Sequence, residues 1–259
     1  STYAAMFGAL VLGLAAWRRL IGPAGRFVLT DRALAVLVVG LLAFGAGFRP
    51  GLHVGAGGLH LVHAVLQLGV AGALTAVFLA PAAGEAIRRI VLLAALGLGV
   101  AARIAILHYS PAPQIDVFVQ FQESAALLLS GHNPFAGPIS DPFDSLGRYG
   151  YHVAGYAYPP ANLYPQTLAY ALLGDVRYAH VAAEIVAVIA LVGVIPAARR
   201  TAALLLGVAL LYHPRGLFVI EQAWNEPLLV GAGGLFIACA AVRPASRGVA
   251  VTLAAFLSL

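Results

Sequence analysis

The sequence predicts an all-α, polytopic integral membrane protein with eight or nine membrane segments. One long extracytoplasmic loop, containing an amphipathic helix, is expected between them. Three observations predict this. Hydrophobic residues make up 61% of the 259 and charged residues 10%, against about 25% charged in soluble domains, and the mean hydropathy is +0.92. The apolar runs are long and do not alternate, which favours helices over a barrel. A single polar stretch, 109–160, interrupts them with four of the ten acidic residues (Asp116, Glu123, Asp141, Asp144) and one arginine, Arg148. A loop longer than about 15 residues is usually functional or disordered. The Tyr, Phe and spaced Pro of this one point to order, so the active site is expected here.

In order, residues 2–16 form a first apolar segment. Residues 17–32 carry Arg18, Arg19, Arg26 and Arg32 against Asp31, which predicts a cytoplasmic connection by the positive-inside rule. Residues 33–48 cross outward, 49–58 form a Gly-rich connector, and 59–80 cross back to Arg88 and Arg89. Residues 90–107 then place 109–160 outside. Within that loop, 115–129 reads as an amphipathic helix: Phe118, Phe121, Ala125 and Leu128 follow one apolar face. Asp116, Gln120 and Glu123 fall within about 60° on the other, so the helix should lie on the membrane surface with its acids toward water. Gly131 ends it and His132-Asn133-Pro134-Phe135 turns the chain.

The run 161–173 is short for a span, which needs about 17 to 25 residues. If it is re-entrant, Arg199 and Arg200 fall inside after 176–196, as the charge rule prefers. Residues 201–212 head outward to His213-Pro214-Arg215. The stretch FVIEQAWNE (218–226) lies at the membrane edge, and 227–242 return to Arg243 and Arg247. A last run starts near 250.

All fifteen basic residues are Arg, read as genomic composition bias. A pI near 9.7 would suggest nucleic acid in a soluble protein. Here the arginines sit at helix ends and set orientation, so no nucleic-acid partner is expected. Cys239 is the sole cysteine and forms no internal disulfide. The chain begins at Ser1 and stops inside an apolar run, so both ends are expected to be incomplete, and no cleavable signal peptide is evident.

Asp116 fits two roles, a general base at the membrane surface and a helix N-cap. Glu123 is a second acid on its face or a solvated charge. Asp141 and Asp144, in SDPFDS, resemble a turn more than a metal site. Arg148 and Arg215 are the outer cations suited to a lipid phosphate, or interfacial anchors. His60, His63 and Gln67 share one helix stripe near His53 and His108. They would ligate haem or a metal or, more commonly, bond between helices. No nucleotide loop or nucleophile elbow occurs, and the glycines of LVGAGGLF read as close helix packing.

In their order, four pieces resemble the GT-C superfamily of membrane glycosyltransferases, and most closely its polyprenyl-phosphate-mannose-dependent group, glycosyltransferase family 87. They are Asp116 after an outward helix, GHNPF (131–135), AYPPANLYP (157–165) and EQAWNEPLL (221–229). The likeness covers about 90–242. Residues 1–89 would be membrane helices preceding the family-like core, and 90–259 the core, incomplete at its C-terminus. Glu221 stands where the family pattern leads one to expect glycine.

The resemblance implies an inverting transferase. It would move a mannose-like hexose from a polyprenyl phosphate to a glycolipid or glycan outside the cytoplasmic membrane, with Asp116 as base. Glu123, His132, Asn133, Arg148, Tyr158, Arg215, Gln222 and Asn225 are then the expected substrate-binding residues, with no metal or other cofactor. Membrane lipids and further membrane subunits are the other expected partners. The alternatives are a non-enzymatic, degenerate scaffold subunit of a larger complex and a His-ligated haem or metal protein.

Overall fold

The computed structural model describes residues 30–54, 58–80, 83–141 and 155–242. The expected segments at 2–16 and beyond 243, most of the arginine cluster at 17–32, and both Asp144 and Arg148 lie outside the described residues. Within them the regular structure is entirely helical. In chain order it comprises α1 (Asp31–Gly45), α2 (Gly58–Leu79), α3 (Glu85–Tyr109), α4 (Asp116–Leu129), α5 (Pro160–Leu173), α6 (Arg177–Val194), a 3₁₀ turn (Ala197–Arg199), α7 (Arg200–Leu211), α8 (Gly216–Glu221) and α9 (Glu226–Val242).

Three of these helices, α2, α3 and α6, are long and apolar enough to cross a membrane. At ~1.5 Å per residue, α2 and α3 reach past the ~30 Å hydrocarbon core. Each buries one stripe and presents another of bare aliphatics. On α2 the inner stripe is His63, Gln67, Val70, Ala71, Leu74 and Phe78, while Leu61, Val62, Val65 and Leu68 stand exposed. On α3, Ile90, Leu93 and Leu98 are exposed in the same way. Apolar faces of that extent suit lipid rather than water.

The remaining helices fall at or below span length. Helix α5, with 14 residues, is too short to cross and stops at Gly174 (φ 77°), whose N–H bonds the Tyr170 carbonyl. Helix α7 has 12 residues and buries eight of them, from Thr201 to Leu211, as befits a short helix inside the bundle. Thr30 caps α1, its hydroxyl accepting the Ala33 N–H at 3.2 Å.

Helices α1, α2, α3 and α7 share the main core, around Val38, Leu42, Leu74, Phe78, Leu92, Leu205 and Val208. Helix α9 packs along α6 through small residues. A Cβ on Gly231 would sit 2.7 Å from the Ala183 carbonyl oxygen, and one on Gly234 would sit 3.0 Å from the Ala187 Cα. The glycines of LVGAGGLF therefore do serve close helix packing. Polar links also cross this apolar body. The Arg103 guanidinium of α3 pairs with Glu184 of α6, both buried, and the Tyr212 hydroxyl donates to the Ala95 carbonyl at 2.9 Å.

Candidate functional site

The site is built where α4 meets the turn between α8 and α9. Before α4 the chain is extended at Ile115 (φ −136°, ψ 139°), which occupies the N-cap position. Asp116 is therefore the first helical residue and not the cap. Its Oδ1 accepts the Val117 N–H at 2.8 Å, and an acid in the first turn complements the helix dipole. Helix α4 ends in a Schellman turn. Gly131 (φ 79°) bonds the Leu128 carbonyl at 3.1 Å and His132 bonds that of Leu127 at 2.9 Å, as the sequence predicts.

The water-facing stripe expected on α4 is corrected by the structure. Gln120 is buried, and Asp116 and Glu123 are only partly exposed. The reason is that α4 is covered on two sides. Phe118, Phe121 and Ala125 pack with Tyr156, Leu163, Val176 and Ala223, while the 155–158 segment folds over the helix. Gly155 (φ 80°) makes that fold possible: a Cβ there would strike the Phe135 carbonyl, and Tyr156 N–H bonds the Pro134 carbonyl at 2.8 Å. Tyr158 lands edge-on to Phe121 at 4.8 Å between ring centres.

Arg177, which the sequence reading did not single out, fixes this assembly. It is fully buried, and its guanidinium lies 4.6 Å over the Phe118 ring. It donates to the carbonyls of Ser110 (2.8 Å), Glu221 (3.1 Å) and Leu107 (3.4 Å), and to the Asp175 carboxylate at 2.6 Å. One side chain thus ties the ends of α3 and α8 to the starts of α4 and α6. Its only local signal is Gly174-Asp175-x-Arg177 at the head of an apolar run.

The α8–α9 turn is strained. Ala223 sits at φ 58°, the described non-glycine residue with positive φ, and takes the place glycine usually has in a Schellman turn. Its N–H bonds the Ile220 carbonyl at 3.2 Å and Trp224 bonds that of Val219 at 3.1 Å. Strain of this kind clusters at functional sites. Here it turns Trp224, Asn225 and Glu226 toward α4, where with Val117, Tyr158 and Leu229 they line a cavity of about 310 Å³. That lies at the lower end of small-molecule sites, roughly 300–1,000 Å³. The Asn225 Oδ1 is buried without a protein partner among the described residues. The Tyr158 phenol is held above its ordinary range, first by burial and then by the nearby carboxylates of Asp116 and Glu226. Two acids and a phenol therefore converge here. Arg215 is exposed with its guanidinium 4.5 Å over the Phe218 ring, which in turn meets Trp224 edge-on at 5.6 Å.

Of the expected site residues, Tyr158 and Asn225 line this cavity, Asp116 adjoins it through its charge on the Tyr158 phenol, and Arg215 lies one aromatic ring beyond its wall. Glu226 and Trp224 join them unforeseen. Gln222 is buried beneath the turn and does not line the cavity. Glu123 accepts the Ser140 N–H at 2.6 Å. His132 and Asn133 line a second cavity, of about 350 Å³, at the opposite end of α4. His63 lies buried 3.3 Å from the Gln67 amide on α2, whereas His53, His60 and His108 are exposed. Among the described residues no group of three or more His, Cys, Asp or Glu is placed to hold a metal ion. No protein-family model, curated protein or solved structure matches the chain.

Proposed function

We propose that this protein transfers a hexose from a polyprenyl phosphate to a glycolipid or glycan hydroxyl at the outer face of the cytoplasmic membrane. In this reading eight or nine membrane segments form the body, the shorter helices supplementing α2, α3 and α6, and 109–160 is extracytoplasmic. One observation carries it: Tyr158, Asn225 and Glu226 line a single cavity, the Asp116 carboxylate acts on the Tyr158 phenol at its edge, and the aromatic wall continues through Trp224 and Phe218 to the cation of Arg215. Asp116 removes the proton from the acceptor hydroxyl. The freed oxygen attacks the anomeric carbon and the bond to the lipid phosphate breaks from the opposite face, inverting the centre. The phosphate leaves with the bonding electrons, its charge met by Arg215.

The test is sugar transfer from radiolabelled polyprenyl-phosphate donors, comparing wild type with Asp116→Asn and Glu226→Gln in membranes at matched expression. Loss of the order of 10²-fold or more in Asp116→Asn is expected for a missing base. If only Glu226→Gln loses that much, the base is misassigned. A second reading, a scaffold subunit, is favoured by Glu123 and Glu221, whose carboxylates are both occupied by backbone N–H groups. Absence of transfer by wild type over a broad donor panel would favour it.

A further inference from the structure

The second cavity, at the C-terminal end of α4, is lined by His132, Asn133, Phe135, Pro160, Leu163 and Tyr164 among others, and none of its lining residues is Asp, Glu, Lys or Arg. No permanently charged side chain therefore faces a ligand there. Two of its polar side chains, those of His132 and Asn133, are already half committed. The Ser130 hydroxyl lies 3.0 and 2.9 Å from the Ala126 and Leu127 carbonyls and has a single proton, which goes to them. With that proton on the carbonyls, a neutral His132 ring donates from Nδ1, 3.0 Å from the same oxygen, and presents Nε2 as an acceptor. Asn133 Oδ1 accepts the Phe135 N–H at 3.0 Å, leaving the amide N–H₂ as a donor. One acceptor and one donor on adjacent residues match a pair of neighbouring hydroxyls. Phe135 and Tyr164, both exposed, add the aromatic faces on which the C–H face of a pyranose packs.

We infer that this cavity binds a neutral hexopyranose unit of an oligosaccharide. Between Val117 and Leu128, which border the two cavities, α4 rises about 17 Å, more than a single sugar ring spans. If Asp116 is the base, the ring bound at His132 and Asn133 lies several units from the reacting hydroxyl, and the acceptor is recognised along its length. That role rests on the transferase reading; the binding itself does not.

The test is equilibrium binding to the full chain in lipid nanodiscs. The probes are a neutral linear mannotetraose, the same glycan on a lipid anchor, and a sugar-free polyprenyl phosphate. Saturable binding of the glycans is expected, weakened about three- to tenfold by Tyr164→Ala, the size of one lost aromatic contact, and comparably by Asn133→Asp. The latter keeps an oxygen to accept the Phe135 N–H and replaces the amide donor with a charged acceptor, so it does not depend on a refolded turn. Leu172→Ala, exposed on the same helix, should bind as wild type. Binding of both glycans identifies the sugar alone as the ligand, and binding of only the anchored one identifies a glycolipid head group. No saturable glycan binding, wild-type binding by both cavity variants, or equal competition by the sugar-free phosphate would overturn the inference. Glycan binding without any sugar transfer by wild type would keep the cavity and remove the transferase reading.

Discussion

The Glu221 carboxyl group occupies the space that a side chain on residue 51 would fill. Its two oxygens accept the backbone N–H groups of Leu52 (2.6 Å) and His53 (2.8 Å), and a Cβ on Gly51 would stand 2.5 and 2.6 Å from them. Glu221 is fully buried at the end of α8, so the α1–α2 connector is fastened to the helix that leads into the strained turn. Glu221 thus has a structural role: its buried carboxylate satisfies two part-buried backbone donors of the connector.

Glu221→Gln should therefore destabilise the fold. The amide offers one acceptor and turns a donor toward an N–H, leaving a buried group unpaired at a cost of about 1–3 kcal/mol. Gly51→Ala should be comparably harmful, since the carboxyl group cannot move without releasing both bonds. Thermal unfolding in detergent checks both. A midpoint unchanged in Glu221→Gln would mean that water replaces the lost acceptor.

The Arg103–Glu184 pair makes a sharper test because both partners are buried on helices long and apolar enough to cross a membrane. Arg103 also donates to the Gly99 carbonyl at 3.1 Å. Glu184→Gln leaves the guanidinium buried without its counter-charge, and removal of one partner of a buried pair typically costs about 3–5 kcal/mol. The double replacement Arg103→Met with Glu184→Leu should recover most of the loss, because two well-packed apolar residues carry no desolvation penalty. Unfolding of Arg103→Met, Glu184→Leu and the double variant forms the cycle. Additive losses would show that the two residues act independently.

The helices were legible in the sequence because their signals are local. The apolar periodicity of 115–129 matches α4 within one residue, Gly131 makes the left-handed turn expected of it, and the bounds of α2 fall within one residue of 59–80. Tyr158 and Asn225, both expected at the site from the sequence, line one cavity, and Asp116 lies close enough to act on the Tyr158 phenol. The burial of Gln120 was not legible, since a helix taken alone does not reveal that a second polypeptide layer covers its polar side. Nor were the long-range links. Arg103 and Glu184 are 81 positions apart, and Arg177 reaches carbonyls 44 to 70 positions away. Nothing in the spacing of neighbouring residues encodes such pairs.

Ala223 supplies a prediction about strain. A non-glycine residue in the left-handed region costs about 1–2 kcal/mol, while the buried methyl contributes about 0.8 kcal/mol. Ala223→Gly should therefore be close to neutral or slightly stabilising. Ala223→Val should be strongly destabilising, because a β-branched residue is a true outlier at positive φ and the site is fully buried. Parallel unfolding curves test the pair. Tolerance of valine would show that the turn relaxes to another conformation and that the strain is not imposed by the fold.

The tyrosines at the site give the pH dependence. Burial holds the Tyr156 and Tyr158 phenols above their ordinary value, with Asp116 and Glu226 adding to the effect on Tyr158. The unfolded chain releases these protons near pH 10, whereas the folded one keeps them to higher pH. Between those two points the folded state binds more protons than the unfolded state, so stability falls as pH rises, at about 1.4 kcal/mol per pH unit for each phenol. Below pH 10 the two groups leave stability independent of pH. Near-ultraviolet titration should thus show late-ionising phenols that disappear in Tyr156→Phe and Tyr158→Phe, and the alkaline loss of stability should shrink in step. Asp116→Asn should bring only the Tyr158 phenol part of the way down, because it removes a neighbouring negative charge and leaves burial intact. A Tyr158 titration indifferent to Asp116→Asn would separate the carboxylate from the phenol and dismantle the site built on their proximity.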